Sequence, residues 1–210
     1  MAFWDIHGAK AHKHHKLSEK SRKKRSNNHI ENTIRLEKCI KMMYCMSRGY
    51  IALKKLKIYL ETTVFNFVFA DDAPDKKQDA IKLFDEINQG KYIPYTSEYV
   101  LQELEKAEEP KRKQMIDLIG KHKIIFLGVD ENAEILADKY VKENIIPVKY
   151  RTDGLHIAIA TINDLDFIVS YNYQHIVKMK TIIGTESINL REGYKRIGIY
   201  SPTEVIENEE

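Results

Sequence analysis

Four oxygen-bearing side chains, Glu61, Glu103, Asp153 and Asn172, stand at or near strand-to-helix junctions in a repeating strand–helix pattern. Carboxylates brought within a few ångströms oppose one another's ionisation and call for a cation. Mg²⁺ or Mn²⁺ suits such a set, because these hard ions take a few carboxylate oxygens and keep waters for a substrate phosphate. An ion so held polarises a phosphodiester, lowers the pKa of bound water and orients it for in-line attack. Each residue also has a plainer reading. Glu103 in "SEYVLQELEKA" fits a solvated helix face, Asp153 an acid favoured by a helix dipole, and Asn172 a turn. Glu61 is the hardest to explain that way, since it ends the apolar stretch "LKIYL" where a strand runs into the core. It is the convergence of all four on one sheet edge that favours chemistry.

That convergence depends on the elements. Residues 56–60 read as a buried strand, and "TVFNFVFA" as a short helix or turn. A helix follows from Asp75 to Gln89, with Ala80, Leu83, Phe84 and Ile87 at helical spacing and Gly90 ending it. "KYIPYTS" reads as a second strand whose Ser97 caps a helix carrying Val100, Leu101 and Leu104. After Pro110 come an amphipathic helix with Met115, Leu118 and Ile119, the apolar run "KIIFLGV", and a helix over Asn132 to Lys142. Thr152 is placed to cap a helix reaching about Asp164, apolar nearly all round and so buried. "DFIVS" is a short buried strand ending just before Tyr171 and Asn172, and "IGIYSPTEVI" an edge strand. Alternation of this kind predicts an α/β fold of three layers, with a mainly parallel sheet covered by helices. In such sheets functional groups gather beyond the carboxyl ends of the strands, where Glu61, Glu103, Asp153 and Asn172 all fall.

Charge divides the 210-residue chain. Residues 1–55 hold 14 Lys and Arg against 4 Asp and Glu, a net of +10, and the remainder has a net of −7. The acidic part needs metal ions or a local basic rim to touch RNA. Residues 1–53 are read as a basic, disordered arm with a short helix over Asn32 to Met46. Within it, His12, His14 and His15 suit either a transition metal or a solvated tract, and "RKKRS" at 22–26 either phosphate contacts or a solvated charge run. A second reading starts native translation at Leu53, where the composition breaks. Cys39 and Cys45 fit no zinc spacing and no disulfide framework, so a reduced, cytoplasmic setting is expected. No run approaches the roughly 18 apolar residues of a membrane span.

"IYLETTVFNFVFADD", "YTSEYVLQELEKA", "YRTDGLHIAIATINDLDFIVSYNYQHIV" and "INLREGYKRIGIYSPTEVI" together resemble the PIN domain, in particular the VapC-type ribonuclease toxins. The resemblance covers residues 56–206, and the PIN-like domain is placed at 54–206 with a tail at 207–210. It implies a metal-dependent endoribonuclease, the toxin of a toxin–antitoxin pair, with RNA as substrate and a small antitoxin and a second copy of the chain as partners. Glu61, Glu103 and Asp153 match the family's metal-holding acids. Asn172 matches the fourth position, and Thr63 a Ser/Thr that hydrogen-bonds within the pocket. One departure stands out: the family's first acid is normally aspartate, and Glu61 reaches about 1.5 Å further. If the extra methylene weakens the site, Glu61→Asp raises activity; a PIN-fold RNA- or protein-binding scaffold with little or no catalysis is the alternative. His156, three residues after Asp153 on a helix, reads as facing the pocket or, more readily, as a core histidine or one behind the acids, while Arg151 and His175 sit on the expected rim, where they would meet phosphate.

Overall fold

The structure, a computed structural model, describes residues 54–207. Expectations for the basic arm, its histidine and arginine–lysine tracts, its cysteines, the start at Leu53 and the last three residues lie outside the described residues.

Strand β1 (Leu56–Leu60) turns directly into helix α1 (Thr62–Phe67), and α2 (Pro74–Asn88) returns the chain to β2 (Tyr92–Ser97). Helices α3 (Glu98–Leu104) and α4 (Lys111–Lys121) lead to β3 (Ile125–Leu127). Next come α5 (Glu131–Lys142), a 3₁₀ turn (Val148–Tyr150), α6 (Arg151–Ile162), β4 (Phe167–Val169), α7 (Met179–Arg191), β5 (Gly198–Tyr200) and α8 (Pro202–Val205). The five strands form one sheet in the order β3-β2-β1-β4-β5, and every pairing is parallel. With helices flanking the sheet, this is the α/β architecture that the alternation predicts.

The strand order explains where a site should lie. From β1 the chain winds outward to β2 and β3, then crosses back to pair β4 on the other side of β1. The crevice beyond the carboxyl ends of β1 and β4 is therefore the switch point, where loops diverge to opposite sides and leave a cleft. Ile58, Tyr59 and Leu60 of β1 and Ile168 and Val169 of β4 are wholly buried, so this part of the sheet is rigid scaffold.

Helix α6 is buried from Gly154 to Thr161, matching its apolar circumference. It packs tightly on α5. A Cβ at Gly154 would lie 3.1 Å from Ile146 Cδ1 and 3.5 Å from Tyr140 Cδ2, so glycine permits the close approach beside Asp153. Among the described residues, no helix is long and apolar enough to cross a membrane.

Three local expectations are corrected. Ser97 occupies the position before α3, but its hydroxyl makes no cap bond and turns instead to Tyr59. Thr152 lies within the first turn of α6, which starts at Arg151 after the 3₁₀ turn. The edge strand expected over "IGIYSPTEVI" is limited to Gly198–Tyr200, and Pro202–Val205 turns into the short helix α8 behind a Ser201–Glu204 capping box; α7, before it, is a helix that the periodicity does not announce.

Candidate functional site

Glu61 follows the last residue of β1, and its main-chain N–H extends the ladder to the Val169 carbonyl at 3.1 Å. It is also the N-cap of α1, with an extended backbone. Its Oε2 accepts from the Thr63 N–H at 3.1 Å, the Thr63 hydroxyl at 2.5 Å and the Ser170 hydroxyl at 2.7 Å. The acid at the strand–helix junction thus satisfies an otherwise unpaired helix N–H. Thr63 Oγ1 in turn accepts from the Tyr171 N–H at 2.8 Å, and Ser170 Oγ accepts from the Asn172 N–H at 2.9 Å. Two hydroxyls therefore stitch the end of β1 to the end of β4 around one carboxylate. The extra methylene of glutamate is accommodated by this web of donors, and Glu61 is only 4% exposed.

Glu103 reaches the same place from α3. Its Oε2 accepts from the Thr62 hydroxyl and lies 3.3 Å from Nε2 of His156, which α6 brings into the core. His156 is 1% exposed. Its Nδ1 lies 2.8 Å from the Tyr59 hydroxyl, which lies 2.6 Å from Ser97 Oγ. On the opposite side of the ring, Nε2 is buried and, despite its closeness to Glu103, makes no aligned hydrogen bond. One donor atom each from Glu61, Glu103 and His156 lie within 4.8 Å of one another.

Asp153 and Asn172 are neighbours to one side. Asp153 Oδ2 is buried without a hydrogen-bond partner, and the Asn172 side chain, His156, His175 and Glu103 all act on its charge. Asn172 Oδ1 accepts from the His175 N–H at 3.0 Å, closing a turn beyond β4. So Glu61 and Glu103 meet, with His156 rather than Asp153 as the third member of the tight set, and Asp153 stands beside them. Arg151 departs from expectation: its guanidinium pairs with Glu134 and Asp138, each at 2.5 Å, tying α6 to α5 and leaving it committed to carboxylates instead of phosphate. His175 stacks on Tyr150 with ring centroids 3.6 Å apart.

The electrostatics follow from burial. Desolvation pushes the pKa of Glu61 and Asp153 above the usual carboxylate range, against the pull of His156. Burial pushes Glu103 up as well, but contact with His156 and the Thr62 hydroxyl outweighs it and holds Glu103 below the ordinary value. Burial depresses His156, yet the neighbouring carboxylates, Glu103 foremost, bring it above its usual value.

Tyr59, Thr62 and Ser170 are not singled out by the sequence, and Ser97 only as a helix cap. Their signal was present in their setting: a hydroxyl within or bounding an apolar, buried run must find a partner or be costly. A scan against protein-family models finds no match for the chain, and a search of curated proteins finds none. Fold and site together define an all-parallel α/β protein with a cluster of acids and a histidine at its sheet switch point.

Proposed function

We propose that residues 54–206 are a PIN-like, divalent-cation-dependent endoribonuclease. The observation that carries this reading is the meeting of Glu61 and Glu103 beyond the carboxyl ends of the central strands, beside Asp153 with its orphaned, buried Oδ2. An unpaired buried carboxylate oxygen is costly, and a cation satisfies it. The oxygen donors of Glu61, Glu103 and Asp153 fit Mg²⁺ or Mn²⁺, and the Asn172 amide beside Asp153 helps hold that acid in place. Bound there, the ion supplies charge to offset phosphate and lowers the pKa of water. Thr63 and Ser170 fix the Glu61 carboxylate, and Thr62 steers that of Glu103, so the acids are oriented before substrate arrives.

The same reading takes RNA as substrate, a small antitoxin as inhibitor and a cytoplasmic location. A second copy of the chain is the partner favoured by the exposed Met179, Ile183 and Leu190, which recur at helical spacing along α7. A competing reading, a PIN-fold scaffold without catalysis, draws on the 3.3 Å approach of His156 to Glu103, which already offers the acids an internal cation.

The purified chain, incubated with RNA in EDTA, Mg²⁺ or Mn²⁺, separates the two. Cleavage that needs the metal and disappears in Asp153→Ala and Glu103→Gln supports the nuclease. Intact RNA in every condition, together with no heat of metal binding, supports the scaffold.

A further inference from the structure

Accepting the acidic pocket as a divalent-cation site, we propose that His156 is a ligand in it, making the centre a mixed oxygen–nitrogen site selective for a transition metal such as Mn²⁺, Co²⁺ or Zn²⁺ over Mg²⁺. An acidic cluster alone would not say this. The additional observation is an imidazole that is 1% exposed, whose Nε2 makes no hydrogen bond though it lies 3.3 Å from Glu103 Oε2, and which offers a ring nitrogen within 4.8 Å of carboxylate oxygens of Glu61 and Glu103. A buried ring nitrogen that makes no aligned hydrogen bond yet lies beside a carboxylate has the setting of a metal ligand.

The back of the ring supplies the rest. Nδ1 lies 2.8 Å from the Tyr59 hydroxyl, itself 2.6 Å from Ser97 Oγ. When Nδ1–H donates to Tyr59 and Tyr59 donates to Ser97, the chain Nδ1–Tyr59–Ser97 is satisfied and the lone pair is left on Nε2. A ligating histidine is commonly oriented through its second nitrogen in this way. All three anchors sit on rigid elements: Tyr59 within β1, Ser97 at the end of β2 and His156 on the buried α6, each no more than 1% exposed. Imidazole suits the later first-row divalent ions, whereas Mg²⁺ takes oxygen donors almost exclusively. Glu61, Glu103 and His156 thus supply three protein donors and leave other positions open, with Asp153 close by.

The test is pulsed electron paramagnetic resonance on the EDTA-treated, full-length chain loaded with Mn²⁺, beside calorimetry with Mn²⁺ and Mg²⁺. The expected spectrum carries ¹⁴N modulation from a directly bound imidazole, lost in His156→Gln. That variant should bind Mn²⁺ about tenfold or more weaker with Mg²⁺ binding little changed, and Tyr59→Phe should keep the modulation while weakening Mn²⁺ by about tenfold through the lost outer partner. Mn²⁺ that binds in a Glu103-dependent way without ¹⁴N modulation overturns the histidine ligand and leaves the carboxylate site standing. Modulation that persists in His156→Gln likewise overturns it, placing the nitrogen elsewhere in the chain. Absence of any Glu103-dependent Mn²⁺ binding overturns both the histidine ligand and the cation site beneath it.

Discussion

The Ser170 hydroxyl donates to Glu61 Oε2 at 2.7 Å, joining the ends of two adjacent parallel strands through side chains 109 residues apart. Ser170→Ala removes one of three donors from a buried carboxylate. A hydrogen bond to a charged group contributes about 1.5–3 kcal/mol, so the variant should lose stability of that order in urea unfolding. An unchanged midpoint would show that Ser170 contributes nothing to holding Glu61.

Glu61→Asp should weaken the centre. From sequence, aspartate improves the site only if the extra methylene of Glu61 weakens it. The geometry favours the opposite direction, because the glutamate is long enough to cap α1, meet Ser170 from β4 and still lie near Glu103 and His156. Aspartate caps helices well but draws its oxygens back by about 1.5 Å. The expected outcome is a near-native fold with about tenfold weaker Mn²⁺ binding by calorimetry; tighter binding would restore the original expectation.

Much of this was legible in the chain because long elements announce themselves. The helix expected over 75–89 is Pro74–Asn88, the strand over 56–60 matches, and the buried helix around Leu155–Ile159 was evident from apolar residues on every side. What failed was chemistry that depends on distant partners. Ser97 has the residue type of a helix cap, yet Tyr59, 38 positions away, takes its hydroxyl. Helix α7 begins "MKTIIGTES", rich in β-branched residues and glycine of weak helix propensity, and packing against α5 overrides that preference. His156 could be read as a buried histidine but not placed against Glu103, because only the fold brings α3 and α6 to the same crevice.

Asn189→Leu tests a second buried polar chain. Tyr140 donates to Asn189 Oδ1 at 2.5 Å, Asn189 donates to Thr161 Oγ1 at 3.2 Å, and Thr161 donates to the Ile157 carbonyl at 2.8 Å, linking α5, α7 and α6. Leucine leaves the Tyr140 hydroxyl buried without an acceptor. The cost should be about 2 kcal/mol, lowering the melting temperature by roughly 4–8 °C for a domain of this size.

His122 should set part of the acid limb of stability. Its ring lies against Phe84 with centroids 4.7 Å apart and its Nδ1 lies 2.8 Å from Asn88 Oδ1. Burial, aided by Lys121, holds its pKa below the ordinary histidine value. The unfolded chain therefore takes up the proton first. The stability this group contributes is present above the unfolded pKa of about 6.5 and is lost as pH falls through the lower folded pKa. Chemical denaturation across pH 7.5 to 5 should show a smaller decline for His122→Gln, whose amide can still donate to Asn88; parallel declines would remove His122 from the account.

The capping role of Glu61 has a genetic corollary. One carboxylate seats the first turn of α1 and also joins the charge cluster, so a descendant that lost the proposed nuclease activity would still be pressed to keep an acceptor at position 61. Glu103 carries no such obligation to secondary structure. Among relatives, drift at 103 with an acid or hydroxyl retained at 61 would mark lineages that kept the scaffold without the proposed activity.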